Sequence, residues 1–486
     1  MLQLHVLLLT SFAAHAIELP DGFVDEPVIG GISGQLVAFD QSPNGAIYLA
    51  EKSGLIRVWR DGLLLDNPFL DISEQVNDRV DRGLLGLALH PQFPDVPYIY
   101  VAFTFDPPEL AALEQDDPGR FDGNGNRVAR IARYTADAAQ NHERAVVDSE
   151  FIVLGKNSTY ANIGDPEGLE DSPTPSCGAI GAPVTDCLPI DEVTHTIGSL
   201  RFAPDGSLVI TNGDGASYRA TTPVAYMVQD LNSLRGKILR VDPQTGLGLS
   251  DNPFFNGDAQ SNQSRVLSFG MRNPYSLAIH PTTGEPFVGD VGWKQWEDIH
   301  GGSGKNFGWP CYEGNNTGNL RHPEYSLEPY CVELYNTNPE ISRPIDSWLR
   351  DTTGAAMVGD FYKGSSFPEI WHGKLFYFDF LKGWMRAIDV YAENPDNAID
   401  FASEIPTISH MLSAEDGALY YANLTAGEVR RIRYTLEPDS ESHPSTFASS
   451  SGSSGSGGFS AGLIFLFCLI FVSKAVNRQL HVTAGN

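Results

Sequence analysis

The sequence GMRNPYSLAIHPTTGEPFVGDVGWKQWEDIHGGSGKNFGWPCYEG, residues 270–314, contains the turns and strands that decide the fold. It joins an Arg-Asn-Pro turn (272–274) to an alternating strand, an Asp-Val-Gly-Trp turn (290–293) and a Gly-rich return that ends in Gly-Trp-Pro (308–310). Glycines let the backbone approach a ligand closely, and a planar arginine recognises carboxylates or carbonyls through paired donors. The stretch therefore predicts one wall of a pocket, and ordinary loops between exposed strands are the alternative.

Six copies of one pattern follow each other along the chain: a turn, an apolar strand and a second strand of basic and apolar residues. The copies are AIYLAEKSGLIRVW, YIYVAFT with NRVARIARY, SLVITNGD with GKILRVD, TGEPFVGD with WEDI, GKLFYFDF with GWMRAI, and DGALYYAN with GEVRRIRY. Short strands bounded by Gly, Pro, Asn and Asp are typical of antiparallel sheets. Six units of roughly 70 residues predict an all-β fold, a six-bladed β-propeller with long inserted loops over residues 17–437. A sandwich with long loops is the alternative.

The composition is strongly acidic. The 486 residues include 32 Lys plus Arg against 61 Asp plus Glu, which gives a formal net charge of -29. Binding to nucleic acid depends on clustered cations, so the composition argues against a nucleic-acid partner.

The two ends of the chain differ in composition from the repeats. Residues 1–16 place a short apolar run before Ala-His-Ala, which predicts a signal peptide, although its first residues carry no Lys or Arg. Residues 438–458 are rich in Ser and Gly and predict an unstructured spacer. Residues 459–486 begin with an apolar run that is short for a membrane span, and they predict either a C-terminal sorting signal that is removed or a short membrane anchor. We therefore expect an exported, secreted or cell-surface protein whose contact with a membrane is limited to this segment.

Four of the five cysteines flank two loops. Cys177 and Cys187 bound one loop, and Cys311 and Cys331 bound another, so two local disulfides are the simplest pairing, with other connectivities open. No pair has the CxxC spacing of a zinc site.

His195 is the first candidate for chemistry, because it begins HTIGSLRFAPDGSLVITNGDG just before a predicted strand. Histidine titrates near neutral pH and suits removal of a proton from a sugar hydroxyl, provided that an acceptor takes the hydride from the same carbon. No protein side chain accepts a hydride, so a cofactor is required, and the chain has no GxGxxG unit between a strand and a helix that would indicate NAD or FAD. A structural loop histidine is the alternative.

Five motifs together resemble the glucose/sorbosone dehydrogenase family, which includes soluble sugar dehydrogenases that use pyrroloquinoline quinone (PQQ). The motifs are RGLLGLALHPQF, HTIGSLRFAPDG, GMRNPYSLAIHP, GDVGWKQWEDI and NFGWP, and they occur in the order found in the family. Hedgehog-interacting-protein-like proteins share them. The resemblance implies a six-bladed propeller, in agreement with the repeat count.

The resemblance also implies roles for particular residues. His195 matches the general base, Arg272 and Asn273 match contacts to the PQQ quinone, and Lys382 matches a further basic contact to the cofactor. Arg272 would stabilise the negative charge that develops beside it. The backbone carbonyls of Gly292 and Trp293 match those that hold a calcium ion bridging to PQQ. The implied substrate is a sugar or other polyol, and the electron acceptor is not identified.

The sequence departs from the family pattern at two places. Thr194 stands before the base where PQQ enzymes carry an acidic residue, and Thr407, Ser409 and His410 occupy a region where they bring arginines from the last blade to the PQQ carboxylates. Each charged hydrogen bond contributes about 1.5–3 kcal/mol, so two missing arginines would weaken PQQ binding considerably. The alternative function is therefore a surface propeller without enzymatic activity that binds carbohydrate or protein, as in Hedgehog-interacting-protein-like proteins.

Overall fold

The computed structural model describes residues 17–120, 122–168, 174–314, 321–392 and 398–436. The described residues up to Thr435 belong to one compact unit.

Three predicted segments lie outside the described residues. They are the leader (1–16), the spacer (438–458) and the apolar C-terminal segment (459–486), and their assignments stay predictions. Within the part of the chain that is described, no helix is both long and apolar enough to cross a membrane.

Six antiparallel sheets, each of four or five strands, form the blades of a propeller, and a small hairpin lies beside the second sheet. The chain enters through Phe23–Ile29 (β1). Blade 1 contains Leu36–Gln41 (β2), Ile47–Glu51 (β3), Leu55–Arg60 (β4), Leu63–Leu64 (β5) and Leu70–Asp71 (β6). Blade 2 and its hairpin contain Leu84–Leu89 (β7), Tyr98–Phe105 (β8), Arg127–Thr135 (β9), Phe151–Leu154 (β10), Gly178–Ala179 (β11), Ala182–Pro183 (β12) and Leu188–Ile190 (β13).

The second half of the ring repeats this arrangement. Blade 3 contains Ile197–Phe202 (β14), Leu208–Asn212 (β15), Lys237–Val241 (β16) and Val266–Phe269 (β17). Blade 4 contains Pro274–Ile279 (β18), Pro286–Asp290 (β19), Trp296–Gly301 (β20) and Asp346–Leu349 (β21). Blade 5 contains Ala356–Phe361 (β22), Leu375–Asp379 (β23), Trp384–Ile388 (β24) and Ile399–Ser403 (β25). Blade 6 contains Ile408–Ser413 (β26), Leu419–Asn423 (β27), Glu428–Tyr434 (β28) and the entering strand β1.

Helical segments are short and lie in the connections between strands. The α-helices are Pro108–Asp116 (α1), Asn262–Arg265 (α2) and Pro329–Thr337 (α3). The 3₁₀ turns are Ser73–Gln75, Ala138–Gln140, Tyr160–Asn162, Pro223–Gln229, Tyr325–Leu327 and Glu369–Trp371.

The innermost strands β2, β7, β14, β18, β22 and β26 lie side by side in a closed ring around the central channel. The predicted six-bladed propeller is therefore confirmed. Each repeated sequence pattern corresponds to the two middle strands of a blade, such as β15 and β16 in blade 3.

Burial in the blades differs between the second and the outer strands. The second strands β3, β15, β19, β23 and β27 are buried at every position, whereas β4 alternates between buried and half-buried residues. Alternation between buried and half-buried residues therefore occurs in strands nearer the outer edge of a blade, such as β4. The second strands are covered on both faces by neighbouring blades, so they carry continuous apolar runs.

The N-terminal strand β1 closes the ring by pairing with the C-terminal strand β28. Arg430 forms an ion pair with Asp25 at 2.8 Å, and Arg431 and Arg433 both bind Glu26. Hydrogen bonds from Arg433 and Arg431 lower the pKa of Glu26 to about 2, so this carboxylate stays charged over the physiological range. A closed ring leaves few exposed strand edges, and the closure joins the two ends of the domain.

Both predicted disulfides are confirmed. Cys177 and Cys187 join the ends of a loop in the long connection that supplies β10 and β13 to blade 2. Cys311 and Cys331 connect the return after blade 4's third strand to α3.

Candidate active site

The candidate site lies at the end of the central channel where the innermost strands begin. His195 comes two residues before β14, and Arg272 comes two residues before β18. The backbone joins the two loops, because the Asp214 N–H donates to the Arg272 carbonyl at 2.8 Å and the Gly215 N–H donates to the His195 carbonyl at 3.2 Å. The propeller thus brings together residues that are 77 positions apart in the sequence.

His195 is buried, with 3% of its surface exposed, and has a left-handed backbone with φ of 52°. Its Nδ1 lies 2.9 Å from Asp214 Oδ1. Burial and the neighbouring Arg272 lower the pKa of His195, although Asp214 acts in the opposite direction. In the neutral tautomer in which Nδ1–H donates a hydrogen bond to Asp214, Nε2 has a free lone pair. His195 is then in the state required of a base.

Gly213 makes the close approach to His195 possible. A Cβ at this position would lie 2.2 Å from the His195 carbonyl oxygen, so no larger residue fits there without a shift of the backbone. The glycine of the Gly-Asp-Gly turn at 213–215 therefore allows the loop that carries His195 to pack close to Asp214, which belongs to the same turn.

Asp214 holds His195 and is itself held by two further donors. Trp309 Nε1 donates to Asp214 Oδ2 at 2.7 Å, and the Ala216 N–H donates to Oδ1 at 2.8 Å. Burial acts to raise the pKa of Asp214, but His195, Arg272 and the Ala216 N–H together bring it below its usual value. Asp214 is therefore a buried carboxylate that orients the histidine. Asp214 lies in the stretch HTIGSLRFAPDGSLVITNGDG, but no role was predicted for it from the sequence.

Arg272 and Asn273 are fixed by a carboxylate beneath their backbone. Asp290 accepts the Arg272 N–H at 3.1 Å and the Asn273 N–H at 2.6 Å. The Arg272 side chain is 5% exposed, and its Nη1 donates to the carbonyls of Val291 at 2.8 Å and Gly292 at 2.9 Å. Its Nε is buried and has no hydrogen-bond partner in the described part of the chain. The guanidinium is thus rigidly placed and retains donors for a ligand.

A small cavity of ≈ 10 Å³ lies behind Arg272 and is lined by buried acids. Burial raises the pKa of Asp290 to about 7, and burial with the neighbouring carboxylates raises that of Asp298 well above its usual value. These raised pKa values favour the protonated forms of Asp290 and Asp298 as the pH falls below neutral. Such a cavity has room for about one water molecule.

Arg350 is a second residue at this site, after Asp214, that was not predicted from the sequence. Its Nη1 donates to the Gly292 carbonyl at 2.7 Å and to Glu297 Oε1 at 2.5 Å. Arg350 follows β21 in the segment LRDTTG, which carries no recognisable motif, and only the blade topology brings it beside the turn at 290–293. A second guanidinium therefore lies next to Arg272.

The Gly292 carbonyl, one of the two predicted calcium ligands, has other partners in the structure. The Gly292 carbonyl oxygen accepts hydrogen bonds from both Arg272 and Arg350, which uses the two lone pairs of a carbonyl. The Trp293 N–H donates to Glu313 Oε1 at 2.5 Å, and its indole donates to the Tyr218 carbonyl at 2.6 Å. No group of three or more His, Cys, Asp or Glu side chains is arranged to hold a metal ion within the described ranges. The Gly292 carbonyl consequently does not fit a calcium ion in this arrangement.

Lys382 lies beside Arg350 rather than beside His195. Its Nζ donates to the carbonyl of Leu349, the residue before Arg350, at 2.5 Å, and to Asp351 Oδ2 at 3.2 Å. The side chain is 22% exposed. It adds a third positive charge to this side of the channel.

On the blade 6 side of the channel, positions 407, 409 and 410 carry neither Lys nor Arg. Thr407 Oγ1 lies 2.8 Å from Thr425 Oγ1, and Ser409 Oγ donates to the Leu36 carbonyl at 2.8 Å. His410 is 8% exposed and contacts the Phe39 ring edge-on. Thr194, the residue before His195, has a buried hydroxyl without a partner in the described chain.

One arginine does lie deeper in the channel. Arg201, in β14, donates to the Leu277 carbonyl at 3.3 Å and to the Met411 carbonyl at 3.0 Å. Burial and this arginine lower the pKa of His410 well below its usual value. Arg201 is engaged with backbone carbonyls below the mouth, so it does not replace the arginines of the last blade.

Comparisons with known proteins identify the family. The profile of the Glucose / Sorbosone dehydrogenase family matches residues 35–173 and 188–431. The HIPL1 protein of Arabidopsis thaliana is 26% identical over 278 residues, which cover 54% of this chain and 37% of HIPL1. The aldose sugar dehydrogenase YliI of Escherichia coli is 29% identical over 184 residues, which cover 37% of this chain and 44% of that protein. The chain thus spans less than half of each of these two relatives.

Solved structures agree on the fold. The soluble aldose sugar dehydrogenase of Escherichia coli in its apo form matches with a TM-score of 0.58 and 19% identity, over 85% of this chain and 99% of that chain. The PQQ-bound aldose sugar dehydrogenase of Streptomyces coelicolor matches with a TM-score of 0.54 and 18% identity, over 85% and 99%. At such identities the likeness concerns the fold.

Proposed function

Because the chain belongs to the glucose/sorbosone dehydrogenase family, we propose that it is a PQQ-dependent oxidoreductase that oxidises a sugar or other polyol, with His195 as the general base. One observation carries the proposal: a buried, neutral histidine is held by a buried carboxylate beside a buried arginine. Groups whose pKa values are shifted in this way inside a channel are typical of proton-transfer sites.

His195 takes the hydroxyl proton in the proposed reaction. Its Nε2 accepts the proton, while Asp214 holds Nδ1 and stabilises the imidazolium that forms. The hydrogen on the same carbon leaves as a hydride, so the substrate carbon loses two electrons and becomes a carbonyl. PQQ, when bound, supplies the electrophilic quinone carbon that accepts this hydride.

Arg272 supplies positive charge where negative charge grows. It is held by the Val291 and Gly292 carbonyls, so little reorganisation is needed during the reaction. Its buried Nε without a partner is a donor that a ligand oxygen would satisfy, and this orphan atom supports the fit of an oxygen-rich cofactor. Asn273 and Lys382 would contribute further polar contacts to the same ligand.

We further propose that the protein works outside the cytoplasm. Two disulfides are stable in oxidising compartments, and the predicted leader agrees with export. The electron acceptor that would reoxidise the cofactor is not identified by these residues.

The test is reconstitution of the full chain with PQQ, followed by dye reduction with a panel of aldoses and polyols. We expect activity in the wild type, and a loss of about 10²- to 10⁴-fold in His195→Asn. His280→Asn is the matched control, because His280 accepts two backbone N–H groups of a turn after β18 and lies away from the site. Absence of both dye reduction and PQQ binding in the wild type would reject the enzyme.

The second candidate is a surface propeller that binds carbohydrate or protein without catalysis. The blade 6 side favours it, because Thr407 and Ser409 offer no cation to a PQQ carboxylate. A wild-type protein that binds an aldose in calorimetry and reduces no dye with PQQ present would favour this candidate.

A further inference from the structure

Arg272 and Arg350 share one backbone acceptor at the mouth of the channel. The Gly292 carbonyl oxygen accepts Nη1 of Arg272 at 2.9 Å and Nη1 of Arg350 at 2.7 Å. Glu297 holds Arg350 from below at 2.5 Å and accepts the Ala356 N–H at 2.8 Å through its other oxygen. Glu297 is fully buried, so the position of Arg350 is fixed by the interior of blade 4.

Each guanidinium makes its hydrogen bonds through a single nitrogen. In the described chain, all side-chain hydrogen bonds of Arg272 and of Arg350 come from Nη1. The edge formed by Nε and Nη2 is therefore unused on both side chains, and Nε of Arg272 is buried without a partner. That edge presents two parallel N–H donors, the geometry that matches a carboxylate.

A calcium ion at the Gly292 carbonyl is incompatible with this arrangement. The ion would have to displace two charge-assisted hydrogen bonds and then lie beside two positive charges. Like charges at such separations repel strongly when they are buried. Arg350 instead places a permanent positive charge at the oxygen that the family resemblance assigns to calcium.

We propose that Arg272 and Arg350 form a fixed carboxylate-binding pair that replaces a calcium ion, so that a ligand with two or more carboxylates binds at this site without calcium. Lys382, which donates to the carbonyl next to Arg350 and is itself paired with Asp351, lies at the edge of the same pair. The choice of PQQ as the natural ligand rests on the proposed function, whereas the carboxylate class of the ligand rests on the arginine pair alone.

The test measures binding rather than turnover. PQQ is titrated into the full chain by calorimetry, once with EDTA and once with excess calcium chloride. We expect dissociation constants that agree within about threefold in the two conditions, and Arg350→Gln to weaken binding by about ten- to a hundredfold, the effect of one charged hydrogen-bonding partner. Binding of PQQ that occurs only with calcium would overturn the proposal.

Two further variants separate the site from general effects. Arg343→Gln removes the same charge from an exposed side chain just before β21, on the other side of that strand from Arg350, and it should leave the affinity unchanged. Because Arg350→Gln leaves the buried Glu297 without its cation, the double variant Arg350→Gln with Glu297→Gln removes both charges and keeps an acceptor for the Ala356 N–H. Thermal melting establishes that each variant is folded, and an unchanged PQQ affinity in the folded double variant would also overturn the proposal.

A second probe separates this inference from the proposed function. Benzene-1,3,5-tricarboxylate carries three carboxylates and no quinone. If PQQ binds neither with EDTA nor with calcium, the proposed function is rejected. The carboxylate-binding role of the arginine pair is then supported only if the tricarboxylate binds in EDTA and binds more weakly to Arg350→Gln. Absence of binding by the tricarboxylate as well would overturn the arginine pair.

Discussion

The two sides of the channel mouth, formed by blades 3 and 4 and by blade 6, are built from different kinds of residue. The basic wall, defined by His195, Asp214, Arg272 and Arg350, consists of buried or half-buried charged or titratable groups, in which Asp214 holds His195 and the two arginines share the Gly292 carbonyl. The blade 6 wall, defined by Thr407, Ser409 and His410, consists of small polar or neutral groups that bond to backbone or to each other. In the ring, β14 and β26 are three blades apart, so the two walls lie on opposite sides.

The difference suggests how binding and chemistry are divided in this protein. Desolvating charged groups is costly, so an array such as the basic wall persists only when its partners are complete or when function requires it. The blade 6 wall requires no desolvation of charged side chains, and its role is to shape the channel. We therefore expect changes on the basic wall to affect chemistry strongly and matched changes on the blade 6 wall to affect it weakly.

The largest expected effect is that of Asp214→Asn on the basic wall. The amide cannot hold Nδ1–H of His195 as a carboxylate does, so kcat should fall by roughly 10²- to 10⁴-fold while the fold is retained. The measurement is dye reduction by the PQQ-reconstituted chain. Ser409→Ala is the matched change on the blade 6 wall, and we expect kcat within about twofold of the wild type, since only a bond to the Leu36 carbonyl is lost. Equal losses in the two variants would contradict the division between the walls.

The next effect concerns the disulfide that holds the basic wall together. Cys311 is two residues from Trp309, which donates to Asp214, and the bond to Cys331 closes a loop with a sequence separation of 20. Replacing both cysteines with Ser should lower the free energy of unfolding by about 3 kcal/mol, measured by urea denaturation. Activity should fall as well, because the Trp309 loop loses its anchor.

The pair Cys177 and Cys187 provides the control for that experiment. Its loop lies in the connection to blade 2, so replacing it with Ser should lower stability and leave kcat close to that of the wild type. If the Cys177/Cys187 variant also loses activity, the loss reflects general loosening of the propeller.

Much of the fold could be predicted because the signals for it lie close together in the sequence. Each repeated pattern is the two middle strands of one blade, and these strands pair through short turns that Gly, Pro, Asn and Asp mark. The strand β1 could not be assigned from the sequence, because its partner β28 lies about 400 positions away and no local signal connects them. Closure of the ring is a property of the whole topology.

The candidate site was predictable only in part. His195, Arg272 and Asn273 lie in motifs that precede innermost strands, and the propeller brings the three together. Asp214 lies in a visible Gly-Asp-Gly turn, yet its contact with His195 depends on how two loops meet. Arg350 has no motif at all, and its position depends on the pairing of β20 with β21. Residues that act through distant partners are not visible in a single sequence.

A third prediction concerns His410, the buried histidine of the blade 6 wall. His195 is paired with Asp214, whereas Nε2 of His410 is buried without a partner in the described chain. Burial, with Arg201, lowers the pKa of His410 well below 6.5, so the unfolded state binds more protons once the pH falls below 6.5. The contribution of neutral His410 is present above pH 6.5 and is lost as the pH falls, by at most about 2 kcal/mol between pH 6.5 and 5, the limit for one proton.

His410→Gln isolates this contribution. The free energy of unfolding, measured in urea at pH 5 and pH 7, should depend less on pH in the variant than in the wild type. The other buried groups are the same in both proteins, so the difference between the two belongs to position 410. Identical pH dependence would show that His410 does not titrate between the folded and unfolded states in this range.

The smallest expected effect is a gain on the blade 6 wall. Thr407 is half-buried just before β26, and its hydroxyl is hydrogen-bonded to the Thr425 hydroxyl, the Thr425 N–H and the Asn423 side chain. Thr407→Arg would add a cation opposite the basic wall. A charged hydrogen bond contributes about 1.5–3 kcal/mol, and ordering an arginine side chain offsets part of it, so we expect PQQ to bind about tenfold more tightly. Thr407→Gln, which adds length without charge, should leave the affinity unchanged. An unchanged affinity in Thr407→Arg would mean that the ligand carboxylates face only the arginine pair of the basic wall, and that blade 6 lies beyond their reach.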